Sequence, residues 1–120
     1  MTSILILEDN QDLCTLYSRS LIPAGYAVQF AGTLAEARGW LLEQLFDVFL
    51  CDMQVGDERG LDLLREQQSL LIGSHTITIV ISAQEKYRRM CEALGVEFFI
   101  SKPIDLQALM NLLQRLVHQS

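Results

Sequence analysis

Five times along the chain a short apolar run gives way to an amphipathic stretch. The runs are Ile4–Leu7, Ala27–Ala31, Val48–Cys51, Thr76–Ile81 and Phe98–Ile100. They are rich in branched or aromatic side chains and mostly apolar at both odd and even positions. A strand with one wet face alternates, whereas a strand covered on both faces does not, so the pattern predicts a parallel sheet with helices on either side. The intervening stretches repeat with helical period. Leu13, Leu16, Tyr17 and Leu21 fall at i, i+3, i+4 and i+8, and Tyr87, Met90, Cys91 and Leu94 at i, i+3, i+4 and i+7. The last stretch aligns Leu106, Leu109, Met110, Leu113, Leu116 and Val117 on one stripe. Thr33 with Glu36 reads as a capping box opening the second helix, and Asp105 as the N-cap of the fifth. Pro23 and Gly25 stop the first helix, and Gly39 weakens the second by roughly 1 kcal/mol relative to alanine. Five strand–helix units with parallel strands make a doubly wound α/β sandwich. With no Pro/Gly/Ser-rich linker in sight, residues 1–120 are expected to form a single domain.

In such a sheet the ligand crevice lies outside the carboxyl ends of the strands, so any chemistry should gather there. The first run leads straight into Glu8 and Asp9, the third into Asp52, the fourth into Ser82, and the fifth into Ser101-Lys102-Pro103. Carboxylates converging from separate strands repel one another, and a divalent cation relieves that repulsion. All-oxygen ligands suit a hard ion such as Mg²⁺. Beside it Lys102 supplies a positive charge and Ser82 a hydroxyl donor. Together these groups match a transferring phosphoryl group, whose oxygens carry the charge. An aspartate can hold that group as an acyl phosphate, and Asp52 is the candidate because it stands alone at its strand end.

Composition narrows the partners. Nine Lys and Arg against fifteen Asp and Glu leave a net charge of −6, with half the residues hydrophobic. That balance excludes disorder and argues against this segment binding nucleic acid by charge. No apolar run is long enough to span a bilayer or to serve as a signal peptide, so no membrane contact and a soluble, cytoplasmic protein are expected. Cys14, Cys51 and Cys91 lie far apart with no metal-ligand spacing and read as three reduced core thiols.

The motifs ILILEDN, FDVFLCDMQV, TITIVISA and FFISKP, in this order and at these spacings, resemble the response-regulator receiver domain of two-component signalling. The resemblance covers essentially the whole chain. It implies a flavodoxin-like (βα)5 fold with strand order 2-1-3-4-5 and phosphoryl transfer from a histidine kinase or histidine phosphotransfer protein to Asp52. Glu8 and Asp9 would be the acidic pair at the Mg²⁺, with Asp52 and the backbone carbonyl of Gln54 completing its protein ligands. Ser82 would be the switch hydroxyl, Lys102 the lysine that contacts the phosphoryl group, and Phe99 the aromatic switch; Pro103 would follow a cis peptide bond. The domain would act as a switch rather than an enzyme, catalysing only its own phosphorylation and dephosphorylation. It would signal to a downstream output domain or protein through the face of the fourth helix, fifth strand and fifth helix. A homodimer through the fourth and fifth helices is an open alternative.

Two departures from the family pattern stand out. Gly56 occupies the place where proline is usual, which predicts a more flexible loop after Asp52. Gln54 and Gln84 sit two residues beyond Asp52 and Ser82, where family members tune the lifetime of the phosphoryl group. Lys86, Arg88 and Arg89 cluster on the outer face of the fourth helix, either as a solvated face or as a partner surface. His75 and His118 have no carboxylate or cysteine partner nearby in sequence and receive no role. A haloacid-dehalogenase-like phosphatase would need D-x-D on the first strand, and a flavodoxin-like FMN binder a phosphate loop where Glu8 and Asp9 stand. The runner-up is a phosphorylation-independent receiver-like interaction module.

Overall fold

Side chains on a strand alternate between the two faces of its sheet, and each inner strand here has an apolar set for both. The computed structural model describes residues 1–117. Its strands are β1 (Ser3–Leu7), β2 (Ala27–Ala31), β3 (Val48–Asp52), the two-residue β4 (Gln54–Val55) and β5 (Glu58–Arg59), β6 (Ile77–Ser82) and β7 (Phe98–Ser101). The helices are α1 (Gln11–Leu21), α2 (Leu34–Glu43), α3 (Gly60–Gly73), α4 (Arg88–Ala93) and α5 (Leu106–Val117), with a 3-10 turn at Glu85–Tyr87. The main sheet is parallel throughout, in the order β2-β1-β3-β6-β7. Setting aside the β4–β5 hairpin, this is the expected 2-1-3-4-5 order.

Leu5, Leu7, Phe49, Cys51 and Val80 face a core shared with Leu34, Ala37, Leu41, Leu61, Leu64 and Cys91 of α2, α3 and α4. Their neighbours Ile4, Ile6, Val48, Leu50, Ile79 and Ile81 face Tyr17 and Leu21 of α1 and Leu109 and Leu113 of α5. Each fully buried aliphatic or aromatic side chain contributes about 1.5–3 kcal/mol, so the central strands β1, β3 and β6 anchor the fold. The edge strands β2 and β7 are largely half-buried, contrary to the expectation for all five runs, because they have a neighbour on one side only.

Several local expectations need correction. Leu16 and Met90, placed on apolar stripes, are 50% and 45% exposed; Tyr17 and Cys91 beside them take the core positions. The fourth helix is only Arg88–Ala93, because Glu85–Tyr87 winds as a 3-10 turn. Cys14 is half-buried rather than core; Cys51 and Cys91 are fully buried, and all three are free thiols. Thr33 Oγ1 accepts from Glu36 N–H at 3.1 Å, but the Glu36 carboxylate reaches back to Gly32 N–H, one residue beyond the partner a capping box requires. Asp105 caps α5 as expected, accepting from Ala108 N–H at 3.1 Å. His118 lies outside the described residues. No described helix is long and apolar enough to cross a membrane.

Candidate functional site

The register of the sheet decides what can meet at its carboxyl edge. Leu7 pairs with Cys51, Cys51 with Val80, and Ser82 with Ser101, so four strands end at nearly one level. Asp52, Ser82 and Ser101 are the last residues of their strands rather than the first of the following loops. Glu8 follows β1 directly, its N–H donating to the Ala31 carbonyl at 2.9 Å. One carboxylate oxygen from each of Glu8, Asp9 and Asp52 lies within 4.8 Å of the others. Glu8 and Asp52 are buried, whereas Asp9 is exposed.

Each carboxylate is aimed by a backbone donor. Asn10 N–H donates to Glu8 Oε2 at 3.1 Å, Gly56 N–H to Asp9 Oδ2 at 3.0 Å, and Gln54 N–H to Asp52 Oδ1 at 3.0 Å. Asp52 Oδ2 accepts from Lys102 Nζ at 3.0 Å, with the lysine side chain still 35% exposed. Burial is the largest influence on Glu8 and, with the Asp52 charge, pushes its pKa up to about 7; the Asn10 N–H and the Lys102 ammonium pull the other way. A partly buried acidic cluster with one ammonium beside it is under-neutralised, and hard oxygen donors at this spacing fit a divalent cation. The Gln54 backbone lies within hydrogen-bond reach of Asp52.

The loop after Asp52 is tied down rather than loose. Its β4–β5 hairpin turns at Gly56 with φ +58°, a left-handed conformation that glycine adopts freely. Gln54 Nε2 donates to the Gly56 carbonyl at 2.6 Å, and Glu58 Oε1 accepts from Leu34 N–H at the start of α2. Gly60 at the hairpin's exit has no room for a side chain. A Cβ there would stand 2.4 Å from the Asp52 carbonyl oxygen and 2.7 Å from Cys51 Sγ.

On the other flank Ser82 bonds to the turn that follows it. Its Oγ accepts from Gln84 N–H at 3.0 Å and donates to the Gln84 carbonyl at 3.3 Å. Lys102 N–H donates to the Ser82 carbonyl at 2.9 Å, and the Lys102–Pro103 peptide is cis, as expected. A cleft of about 50 Å³ opens between Asp52, Met53, Gln54, Ser82, Ala83, Gln84, Tyr87 and Lys102. Phe99 lies one strand away, half-buried against the α2–α4 core, while Phe98 joins the opposite core. The three basic residues of the fourth-helix region do not form one solvated face. Lys86 stacks on Tyr87 at 5.2 Å, Arg88 lies over the Phe99 ring at 4.6 Å, and Arg89 is exposed. The sequence reading missed Gly60, the Gly56 amide and the Glu85–Arg88 pair. The glycines carried a signal as residues able to let backbone approach closely, and Glu85–Arg88 as opposite charges at i, i+3.

A cluster of acids, one ammonium and a hydroxyl on the switch-point edge of a 2-1-3-4-5 sheet defines a phosphoacceptor class of α/β protein. The response regulator receiver domain matches residues 4–114, and the chain belongs to that family. Its members are phosphoacceptor switches of two-component systems, working with histidine kinases and output domains. The virulence transcriptional regulatory protein PhoP of Salmonella typhimurium is 29% identical over 122 residues, covering 100% of this chain and 54% of its own length. The chain thus spans about half the length of the curated relatives it matches. The non-phosphorylated HemR receiver domain from Leptospira biflexa superposes with a TM-score of 0.87 at 25% identity, covering 100% of this chain and 97% of that one. TrrA from Thermotoga maritima, solved in complex with Mg²⁺-BeF, gives a TM-score of 0.81 at 20% identity, covering 97% and 99%; at that identity the likeness is one of fold.

Proposed function

We propose that Asp52 is the phosphoacceptor of this receiver, with Glu8, Asp9, Asp52 and the Gln54 carbonyl holding Mg²⁺. The observation that carries this reading is the pairing of buried Asp52 with Lys102 at 3.0 Å inside a three-carboxylate cluster. Mg²⁺ would supply the positive charge that lets phosphoryl oxygens approach these acids. Asp52 Oδ then attacks the phosphorus of a phosphohistidine donor, the P–N bond breaks, and the histidine leaves with the electron pair. Lys102 shifts from the carboxylate to a phosphoryl oxygen, and the Ser82 hydroxyl leaves the Gln84 carbonyl to donate to another. Phe99 follows into the space behind Ser82, changing the face of α4, β7 and α5 that a downstream output domain or protein reads. Residues 1–120 would act as one such domain, taking up and losing its phosphoryl group by its own chemistry and not touching nucleic acid itself.

The test is intact mass after incubation with acetyl phosphate, with and without Mg²⁺, on wild type and Asp52→Asn. A Mg²⁺-dependent gain of one phosphoryl group, absent from the variant, is expected. No adduct, together with no binding of beryllofluoride, would leave the phosphorylation-independent interaction module as the better reading.

A further inference from the structure

The aromatic of the switch flank lies under a cation. Arg88 opens α4, and its guanidinium carbon lies 4.6 Å from the centre of the Phe99 ring. The same guanidinium is fixed from behind, since Arg88 Nε donates to Glu85 Oε1. The other oxygen of that carboxylate, Oε2, accepts from Ser101 Oγ at 3.2 Å. Glu85 therefore ties the turn after β6 to the end of β7, two residues beyond Phe99 in sequence. Ser101 is also the residue before Lys102, whose ammonium holds Asp52. A continuous set of contacts thus runs from the acid at the end of β3 to the ring two strands away on β7.

We propose that Arg88 is a positioning residue that clamps Phe99 in the resting rotamer, with Glu85 as its anchor. The inference rests on the switch reading of Ser82 and Phe99 given above. A guanidinium over an aromatic face is attracted by the ring's quadrupole, and the attraction is lost when the ring rotates away. Because the contact exists in one state of the ring only, it biases the equilibrium between the two states. Arg88 faces Glu85 on the preceding turn and Glu92 on its own helix; the bond from Arg88 holds the Glu85 carboxyl below its ordinary pKa, with Ser101 acting in the same direction and burial against it. The anchor is therefore ionised wherever the switch operates. A neutral side chain at 88 would leave Phe99 with its apolar packing against the α2–α4 core and no cation over the ring.

The experiment measures Phe99 side-chain couplings and ring-to-residue-88 contacts by NMR on the unphosphorylated chain, then the rate of phosphorylation by acetyl phosphate. Wild type should show one rotamer. Arg88→Ala should show averaging between two and a phosphorylation rate higher by about threefold, the effect of one exposed cation–π contact. Arg88→Lys should keep part of the restraint, and Glu85→Gln should loosen the ring while leaving the cation present. An unchanged thermal melt in Arg88→Ala would separate this bias from a general loss of structure. Wild-type couplings and a wild-type rate in Arg88→Ala would overturn the clamp. Repeating the NMR in an Asp52→Asn background separates the two readings. If the wild type takes no phosphoryl group yet Arg88→Ala still frees the ring, the phosphoacceptor reading falls and the clamp stands.

Discussion

The two flanks of the site are built on opposite electrostatic terms. On the acidic flank, Glu8, Asp9 and Asp52 crowd like charges together and are aimed by backbone N–H groups, with the Lys102 ammonium beside Asp52. On the other flank Glu85 pairs with Arg88 and accepts from Ser101, and Ser82 is satisfied by Gln84. The first flank gains by taking in a cation and has little to rearrange. The second is already satisfied and must be pulled apart. Affinity for ligand and resistance to switching thus reside in different residues, which makes them separable by mutation.

The largest effect is expected where the acidic flank rests on closely approaching backbone. Gly60→Ala drives a Cβ into the Asp52 carbonyl and Cys51 Sγ, neither of which is the free end of a flexible chain. A loss of about 3 kcal/mol in unfolding free energy is expected, measured by urea denaturation, with the acidic cluster displaced along with β3. Lys102→Met comes next, because it removes the one group that belongs to both flanks. Asp52 is left buried among carboxylates, and the metal-free chain should lose about 1–2 kcal/mol at neutral pH after allowing for the lysine's partial exposure. Mg²⁺ affinity, read by calorimetry, should hold or rise in this variant while phosphorylation falls by at least about tenfold. A parallel fall in both would mean that the flanks are not separable.

The smallest effect concerns pH. The folded-state pKa of Glu8 is raised from 4.5 to about 7. Its stabilising effect in the metal-free chain is therefore full below the ordinary value and is lost as pH rises through the folded one. A cation reverses this by favouring the ionised carboxylate. The increase in melting temperature on adding Mg²⁺ should be larger at pH 8 than at pH 6, and Glu8→Gln should flatten that difference.

Much of this arrangement is legible in the sequence because strand ends are fixed points. An apolar run that stops at Asp52 or Ser82 puts that residue on the carboxyl edge, whatever the loops do. What escapes are features set by angle rather than by position. Helical spacing puts Leu16 and Tyr17 on one broad stripe, yet only Tyr17 reaches the core, since the sheet covers a narrower arc than the stripe. Likewise Lys86, Arg88 and Arg89 look equivalent as a run of cations. The 3-10 turn before α4 rotates Arg88 toward Phe99 and leaves Arg89 in solvent. Gly56 invites the expectation of a loose loop, and only the three-dimensional partner of its N–H, Asp9, reveals a restraint.

The pairing of Leu7 with Cys51 and of Cys51 with Val80 has a consequence for how this chain can vary. Side chains on a strand swap faces with every step, so inserting or deleting one residue inside β3 would turn Asp52 from the edge cluster into a helix-covered face. The connections at the opposite edge, from α1 to β2 and from α2 to β3, carry no such constraint. Variation in length is therefore free in those distant connections and forbidden in the strands that align the acids. A lineage can reshape the far edge of the domain without disturbing where its carboxylates meet.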